Sequence, residues 1–444
     1  RNEWDSRLPK PYTITYPSVG LSGILSQMMS MPRAISFLKL NANYAKVGNG
    51  GQAQILNNTY GYNQGAGNGF LSRTQTQAIP GLKPEIVTNF EVGVDARFVE
   101  NRLGFTFTYY KSNSTNQLLQ LNQPVATGYT YKYINAGNIQ NSGIELVLNG
   151  TPIKNQDFSW DIGLNFSRNV NKIISLDPNI PIAYLGGNSG YARSATPVVQ
   201  TGGSYGDLVS LHWLRLPTGQ LVVDPTSGLP VSGTYKLDAS GNPTVDKTPT
   251  YLGSFNPKAL LGLTNTFNYK NFSVRLLMDG RFGGIILDGT EMNLAFSGIS
   301  DVTAQHRTDA WNLGGVDVSG NKVAANVTAQ QFWTAGSNST TGKRYGVGEF
   351  FAYDATNFRV REFSIGYNIP LPSGSVFKAI RISAVGRNLL WLYRGSSLLD
   401  IPGLGKRKMQ IDPDMSLGNG NWQGVQYGSM PSTRSVGFNL KLTF

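Results

Sequence analysis

Few of the 444 residues could perform acid–base, nucleophilic or metal chemistry. The chain has no cysteine and two histidines, His212 and His306. Disulfides, thiolate zinc sites and cysteine nucleophiles are therefore excluded. The histidines lie in different polar stretches, and no carboxylates stand at metal-ligand spacing beside them. They read as ordinary loop residues. The stretch GSNSTTGKR at 336–344 has five residues between its glycines where a phosphate loop needs four, and Arg344 where that loop needs Ser or Thr. It reads as a flexible loop. Asp412 and Asp414 flank Pro413. A turn and a cation site are both open to that triplet, the turn being the commoner use of such residues. No cofactor and no enzymatic reaction is expected.

Two other sets carry the functional interest. Glu91, Asp95, Arg97, Arg275, Asp279 and Arg281 are charges embedded in otherwise alternating apolar stretches. Tyr129, Tyr131, Tyr133, Tyr184, Tyr191, Trp311, Trp333, Trp422 and Tyr427 are aromatics in irregular, polar segments. Flat rings with polar tips suit sugars, peptides or another protein. Packing of the loops on one another would use the same residues.

The charges need strands to position them. Residues 85–110 read EIVTNFEVGVDARFVENRLGFTFTYY. Ile86, Phe90, Val92, Val94, Ala96 and Phe98 share one parity, and Glu91, Asp95 and Arg97 the other. A period of two is a strand with one apolar and one polar face. Val99-Glu100-Asn101 has room only for a turn, and Leu103, Phe105, Phe107 and Tyr109 then repeat the apolar alternation. The same pattern predicts hairpins at 143–151 with 158–175, at 258–269 with 272–287 across Lys270-Asn271, and at 358–369 with 380–393. Strands at 16–27, 35–47 and 433–444 complete a count of eleven. Arg359 and Arg361 share parity with Phe363, Ile365 and Tyr367, so a bulge is expected near Glu362. Residues 112–120 can prolong the second arm of the 85–110 hairpin.

Composition supports strands and polar loops. Charged residues are 14% of the chain, with 52 Gly, 21 Tyr and 21 Phe, against roughly 25% charged residues in average soluble proteins. No apolar run is long enough for a transmembrane helix, but alternating strands hide a membrane barrel from hydropathy. The net charge of +12 is scattered, without a nucleic-acid motif, so no nucleic acid is expected. Anionic lipid headgroups or an acidic partner fit it, as does plain solubility.

The connections alternate between short and long, with long loops at about 49–85, 121–138, 177–256, 288–353 and 394–431. Short turns on one side and long loops on the other are the plan of outer-membrane barrels. An island at 205–216 would break that alternation as a spanning strand, so it is assigned to a loop. The fold class expected is all-β: an antiparallel transmembrane barrel with long extracellular loops. A soluble β-sandwich explains the alternation but not four loops of roughly 20 to 80 residues. On the barrel reading the six charges point into the lumen, because Arg or Lys on the lipid face costs about 2–4 kcal/mol at midplane.

Several stretches together resemble the SusC/RagA-type TonB-dependent transporters of the Bacteroidetes outer membrane. They are LKPEIVTNFEVGVDARFVENRLGFTFTYY, INAGNIQNSGIELVLNGTPI, FSWDIGLNFSRNVNKI, GGSYGDL, NYKNFSVRLLMDGRFGG, YDATNFRVREFSIGY, VGRNLLWLY and PSTRSVGFNLKLTF. They follow the family's order and cover nearly the whole chain. The resemblance implies a 22-stranded barrel with an N-terminal plug, a periplasmic TonB box and a SusD-like lipoprotein lid. It implies import of oligosaccharides or oligopeptides across the outer membrane, with its lipid and lipopolysaccharide, of a Gram-negative cell. The sequence shows no plug, TonB box or signal peptide, so residues 1–444 read as the C-terminal part of such a barrel. The charges then meet one another and the plug, and the loop aromatics meet ligand or lid. The alternative role is a structural SusC-like barrel recruited into a larger assembly without import. Phe438, Leu440, Leu442 and Phe444 alternate at the end of the chain and resemble the C-terminal signal for barrel assembly.

Overall fold

The structure, a computed structural model, describes residues 2–4, 13–49, 56–65, 67, 69–79, 81–176, 181–185, 195–337, 347–416 and 424–444. Its frame is one antiparallel sheet with a path of eleven strands. These are β1 (Ser18–Ile24), β2 (Ile35–Asn49), β3 (Glu85–Phe98), β4 (Leu103–Asn122), β5 (Tyr131–Lys154) and β6 (Phe158–Ser175). They continue as β7 (Ala259–Tyr269), β8 (Phe272–Phe282), β9 (Asn357–Ile369), β10 (Ala379–Arg394) and β11 (Ser435–Thr443). Each pairs with its neighbours in sequence, and a two-residue strand at Thr76–Gln77 adds parallel to β5. Among the described residues the two edge strands, β1 and β11, do not pair with each other.

Register carries the period of two across the whole sheet. Leu40 lies opposite Val94, Val94 opposite Phe107, Phe107 opposite Leu146, Leu146 opposite Phe166, and Phe166 opposite Leu261. One apolar face therefore runs unbroken from β2 to β7. The residues between them stack polar on polar, as in the row Lys39, Asp95, Thr106, Val147 and Asn165, where one valine interrupts. A slip of one residue would exchange the faces, so this alternation fixes the register.

Connections alternate as the spacing predicts, except that residues 123–130 between β4 and β5 make a short one where a long loop is expected. The short ones are residues 25–34, 99–102, 155–157, 270–271 and 370–378; all the longest ones leave from the opposite end of the sheet. Val99, Glu100 and Asn101 take φ of 50°, 53° and 64°, a left-handed run that reverses the chain between β3 and β4. No described helix is long and apolar enough to cross a membrane, which says nothing about strands.

Three expectations change. The loop expected at 121–138 is mostly strand, because β4 and β5 stay paired up to Asn122 opposite Tyr131. Ladder bonds need no lipid, and Leu119 and Leu121 are buried there with Ile139 and Ile173. The strand expected to reach 287 stops at Phe282, where Gly283 and Gly284 take φ of 69° and 79°. Ile285–Asp288 then joins a separate sheet with Ala352–Asp354 and Val425–Gln426. The long loops are also not irregular throughout. Asp207–Ser210, within the 205–216 island, lies in a four-stranded sheet outside the wall, and Gly289–Phe296 and Ala329–Ser337 are helices.

Those loops share one core. Leu208, Trp213 and Val223 from one, Leu287, Trp311, Phe332 and Phe350 from the next, and Leu399, Ile401 and Val425 from the last pack together. Among the described residues, the largest fully buried side chains are mostly here rather than in the sheet.

Candidate functional site

The polar face of the wall is the first place to look for function. Asp95, Arg97, Thr106, Asn149, Asp161 and Asn165 line one concavity of about 610 Å³ on it. Register places Glu91 between Asn43 and Tyr110, and Arg275 between Thr266 and Ser364, on the same face. All six charges expected on the polar face therefore lie there. They do not satisfy one another. Among the described residues Glu91, Asp95, Arg97 and Arg275 form no ion pair, although the Arg97 guanidinium lies 5.2 Å from the Phe37 ring centre.

Asp279 is different. Its Oδ1 accepts from Arg359 Nε at 3.1 Å, and its Oδ2 from Arg361 Nε at 3.0 Å. Arg359 also donates through Nη1 to Asp412 at 2.7 Å and through Nη2 to Asp414. Arg361 Nη2 reaches Asp414 at 3.1 Å. The Arg359 side chain is 2% exposed, and its guanidinium lies 4.6 Å from the Trp391 ring centre. Arg281 donates through Nη2 to the Phe255 carbonyl, while its buried Nε has no partner.

A backbone irregularity makes this network possible. Leu277 pairs with Glu362 and Met278 with Val360, so Arg361 is skipped. The β9–β10 ladder skips it as well, from Val360–Leu390 to Glu362–Arg387. This is the bulge expected near Glu362. It shifts the apolar parity from Phe358 and Val360 to Phe363 and Ile365, and it lets Arg359 and Arg361 converge on Asp279. The Asp412–Asp414 segment is a turn, with Asp414 N–H donating to Asp412 Oδ1 at 3.1 Å and Met415 N–H to the Asp412 carbonyl at 3.0 Å. Its carboxylates face guanidinium groups, so the cation-site reading gives way to an ion-pair clamp. No group of three or more metal-ligating side chains occurs among the described residues.

Sequence reasoning missed this clamp. The signal was split between two arginines out of phase in a strand and an acidic turn some 53 residues later. Nothing local links them.

The loop aromatics divide. Trp311 and Trp333, at 3% and 2% exposure, belong to the loop core, the packing use that the sequence left open beside ligand contact. They are large apolar surfaces in the middle of the module, where burial outweighs exposure. Trp311 Nε1 donates to the Pro402 carbonyl at 2.9 Å, and His306 stacks on its ring at 4.6 Å. Tyr129, Tyr131 and Tyr133 are half-buried at the far end of the β4–β5 hairpin, with Arg73 4.0 Å from the Tyr129 ring centre. Tyr133 packs on Ile79 and Leu82. Tyr184 is exposed and Tyr427 half-buried. Tyr191, Trp422 and residues 338–344 of the phosphate-loop-like stretch lie outside the described residues.

Beneath those aromatics the module holds a second ion pair. Arg407 Nη1 donates to Glu291 at 2.7 Å, and its guanidinium sits among Phe350, Tyr353, Phe351 and Trp333 at 5.1 to 5.9 Å. Asp288 caps the helix Gly289–Phe296, accepting from Glu291 N–H at 2.9 Å, and burial pushes its carboxyl up to about 7. His212 Nδ1 lies 2.9 Å from Glu349, and that hydrogen bond raises its pKa. These groups are internal ties of the module.

At the other end of the chain, Phe438, Leu440 and Leu442 fall on the apolar face, opposite Ala384, Ile382 and Ile380. Phe444 lies 5.0 Å from Phe377, ring centre to ring centre.

Residues 3–276, more than half of the chain, match the family described as TonB dependent receptor-like, beta-barrel. TonB-dependent receptor P3 of Formosa agariphila is 26% identical over 376 residues, 82% of this chain and 34% of that protein. TonB-dependent receptor SusC of Bacteroides thetaiotaomicron is 26% identical over 268 residues, 58% of this chain and 25% of that protein. In structure, the RagAB peptide transporter matches with a TM-score of 0.67 and 19% identity, covering 100% of this chain and 45% of that one. The chain thus spans less than half the length of these relatives. The matched segment carries β1 to β7 and the start of β8, the same continuous wall that register defines, and on these grounds this chain belongs to the TonB-dependent receptor-like β-barrel family.

Proposed function

We propose that this chain is the C-terminal part of a SusC-like importer in the outer membrane of a Gram-negative cell. Its eleven strands supply part of a 22-stranded, plugged barrel. Its substrates are oligosaccharides or oligopeptides handed over by a SusD-like lipoprotein, and uptake draws energy through TonB. The observation that carries the reading is the coupling of loop to wall: Asp412 and Asp414, in a long connection, are held by Arg359 and Arg361 on the lumen face. A loop module of this size, with its own core and anchored inside the rim, is placed to frame an entrance. The six polar-face charges border the path below it. The wall charges without ion pairs, Glu91, Asp95, Arg97 and Arg275, are available to a plug or to passing polar cargo. Similarity to the RagAB peptide transporter fits the oligopeptide class, and similarity to SusC fits the receptor family.

The test is uptake of fluorescent oligosaccharides and oligopeptides by cells whose own copy has been deleted and then restored. Uptake restored only with intact TonB and an energised inner membrane is the expected result. Surface-exposed protein with no TonB-dependent uptake of either class would favour the scaffold role instead.

A further inference from the structure

We propose that the outer wall carries a binding site for the phosphates of an outer-leaflet lipid, formed by Lys46, Lys111, Arg168 and Lys172. This rests on the outer-membrane reading above and adds to it a ligand on the outside of the barrel.

Register places these four side chains on the apolar face. Lys46 lies opposite Thr88, Thr88 opposite Asn113, Asn113 opposite Gln140, and Gln140 opposite Lys172. One row below, Tyr44, Phe90, Lys111, Ser142 and Val170 stand side by side. The next row is Ala42, Val92, Tyr109, Ile144 and Arg168. Below that, Leu40, Val94, Phe107, Leu146 and Phe166 are wholly apolar. With strands about 4.8 Å apart and rows about 6.8 Å apart, the four cations occupy a patch roughly 20 Å wide and 14 Å tall.

Three features make this patch unlike scattered surface charge. Its level is set by the aromatics Tyr44, Phe90 and Tyr109, which are 40%, 45% and 36% exposed. Such rings sit at the boundary between acyl chains and headgroups, so the cations begin where phosphates lie. Its sign is pure: every carboxylate in β2 to β6, namely Glu85, Glu91, Asp95, Glu145 and Asp161, falls on the opposite parity. Its members are free to bind: all four are exposed, and none is in an ion pair among the described residues. The end of the wall is also right, because these rows lie toward the long loops.

The patch continues into a cleft. β6 outruns β7, whose last pairing with it is Ser167 with Leu260. Arg168 and Lys172 line the resulting opening of about 1370 Å³, together with Lys258 and Lys406. Asp207 and Asp354 line it too, but both carboxylates already accept hydrogen bonds, from Ser204 N–H at 2.8 Å and Thr356 N–H at 2.9 Å. A guanidinium and three ammonium groups around one cleft suit phosphate monoesters on a sugar or glycerol headgroup.

The experiment reconstitutes the native polypeptide in phosphatidylcholine vesicles doped with diphosphorylated lipid A or with its dephosphorylated form. Insertion is scored by heat-modifiable migration, and retained lipid by mass spectrometry of the extracted complex. The wild type is expected to retain the diphosphorylated lipid at least tenfold better than the dephosphorylated one. The quadruple variant Lys46→Gln, Lys111→Gln, Arg168→Gln, Lys172→Gln should lose most of that tenfold preference, because each basic residue near a charged surface contributes to it. The variant Lys46→Arg, Lys111→Arg, Lys172→Arg should keep it. Equal retention of both lipids by the inserted wild type overturns the proposal without any mutation. Complete displacement of the lipid by excess inorganic phosphate overturns it also, since the site would then take the free ion. Failure to insert at all overturns the outer-membrane reading and this proposal with it, whereas insertion without retention overturns this proposal alone.

Discussion

Arg359 holds three carboxylates while its own side chain is 2% exposed. A buried guanidinium in that position is weak evidence for net stability, because desolvation offsets much of the attraction. Removing it is another matter, since Asp279, Asp412 and Asp414 would then face one another with only Arg361 between them. Arg359→Met is expected to cost about 3–5 kcal/mol in the contact between the last long loop and the wall. Limited proteolysis of the 395–416 segment, followed against temperature, reads this directly. Adding Asp279→Asn and Asp412→Asn should recover most of the loss. A single variant as protease-resistant as the wild type would show the clamp to be no stronger than an exposed pair. Both arginines and both aspartates were visible in the sequence as oddities, one pair out of phase and the other flanking a proline. Their meeting was not visible, because an ion pair depends on distance and the chain between them has no period from which to compute it.

At the scale of elements, the last strand tests what a strand's edge is for. β11 pairs with β10 on one side, and Phe438 is 85% exposed on its apolar face. Deleting Phe444 removes one ring packed on Phe377, so a finished barrel should lose only about 1–3 kcal/mol. Assembly should suffer far more if the terminal strand offers its backbone to a receiving strand while alternate apolar side chains fix the register. Surface-exposed protein in cells is compared with the unfolding midpoint of whatever barrel forms. Normal surface levels in the deletion would leave Phe444 with a packing role alone. The strands themselves were legible because alternation is a local property and each has an apolar face to declare it. Their ends were less so. β4 and β5 run past the apolar zone on ladder bonds that polar residues make equally well.

For the whole molecule, the loops behave as one body. Segments 195–252, 285–352 and 399–425 contribute to a single buried cluster. Exchanging only 177–256 and 288–353 with a paralogue would therefore set foreign loops against the native Leu399, Ile401 and Val425. Mismatched cores of this kind typically cost about 1–3 kcal/mol per strained site. Exchange of all three long connections together is expected to transfer substrate or lid preference with normal surface levels. Exchange of the first two alone is expected to fold poorly, and protease sensitivity of the loops in intact cells distinguishes the outcomes. A well-folded triple exchange that leaves preference unchanged would count against selection by the loops.

The amino-acid sequence by itself determined the wall. Eleven alternating segments, their short turns, the bulge beside Glu362 and the parity of Glu91, Asp95, Arg97, Arg275, Asp279 and Arg281 follow from a period of two, which needs no partner to be read. Tertiary structure alone decided what the loops are. Trp311 and Trp333 have the composition of ligand contacts and the burial of a core, and only packing separates the two. It also decided that Lys46, Lys111, Arg168 and Lys172 share one surface. Four cations spread over 127 positions become neighbours only when the register of five strands is known, because hydrogen bonding between strands, rather than distance along the chain, sets which side chains meet.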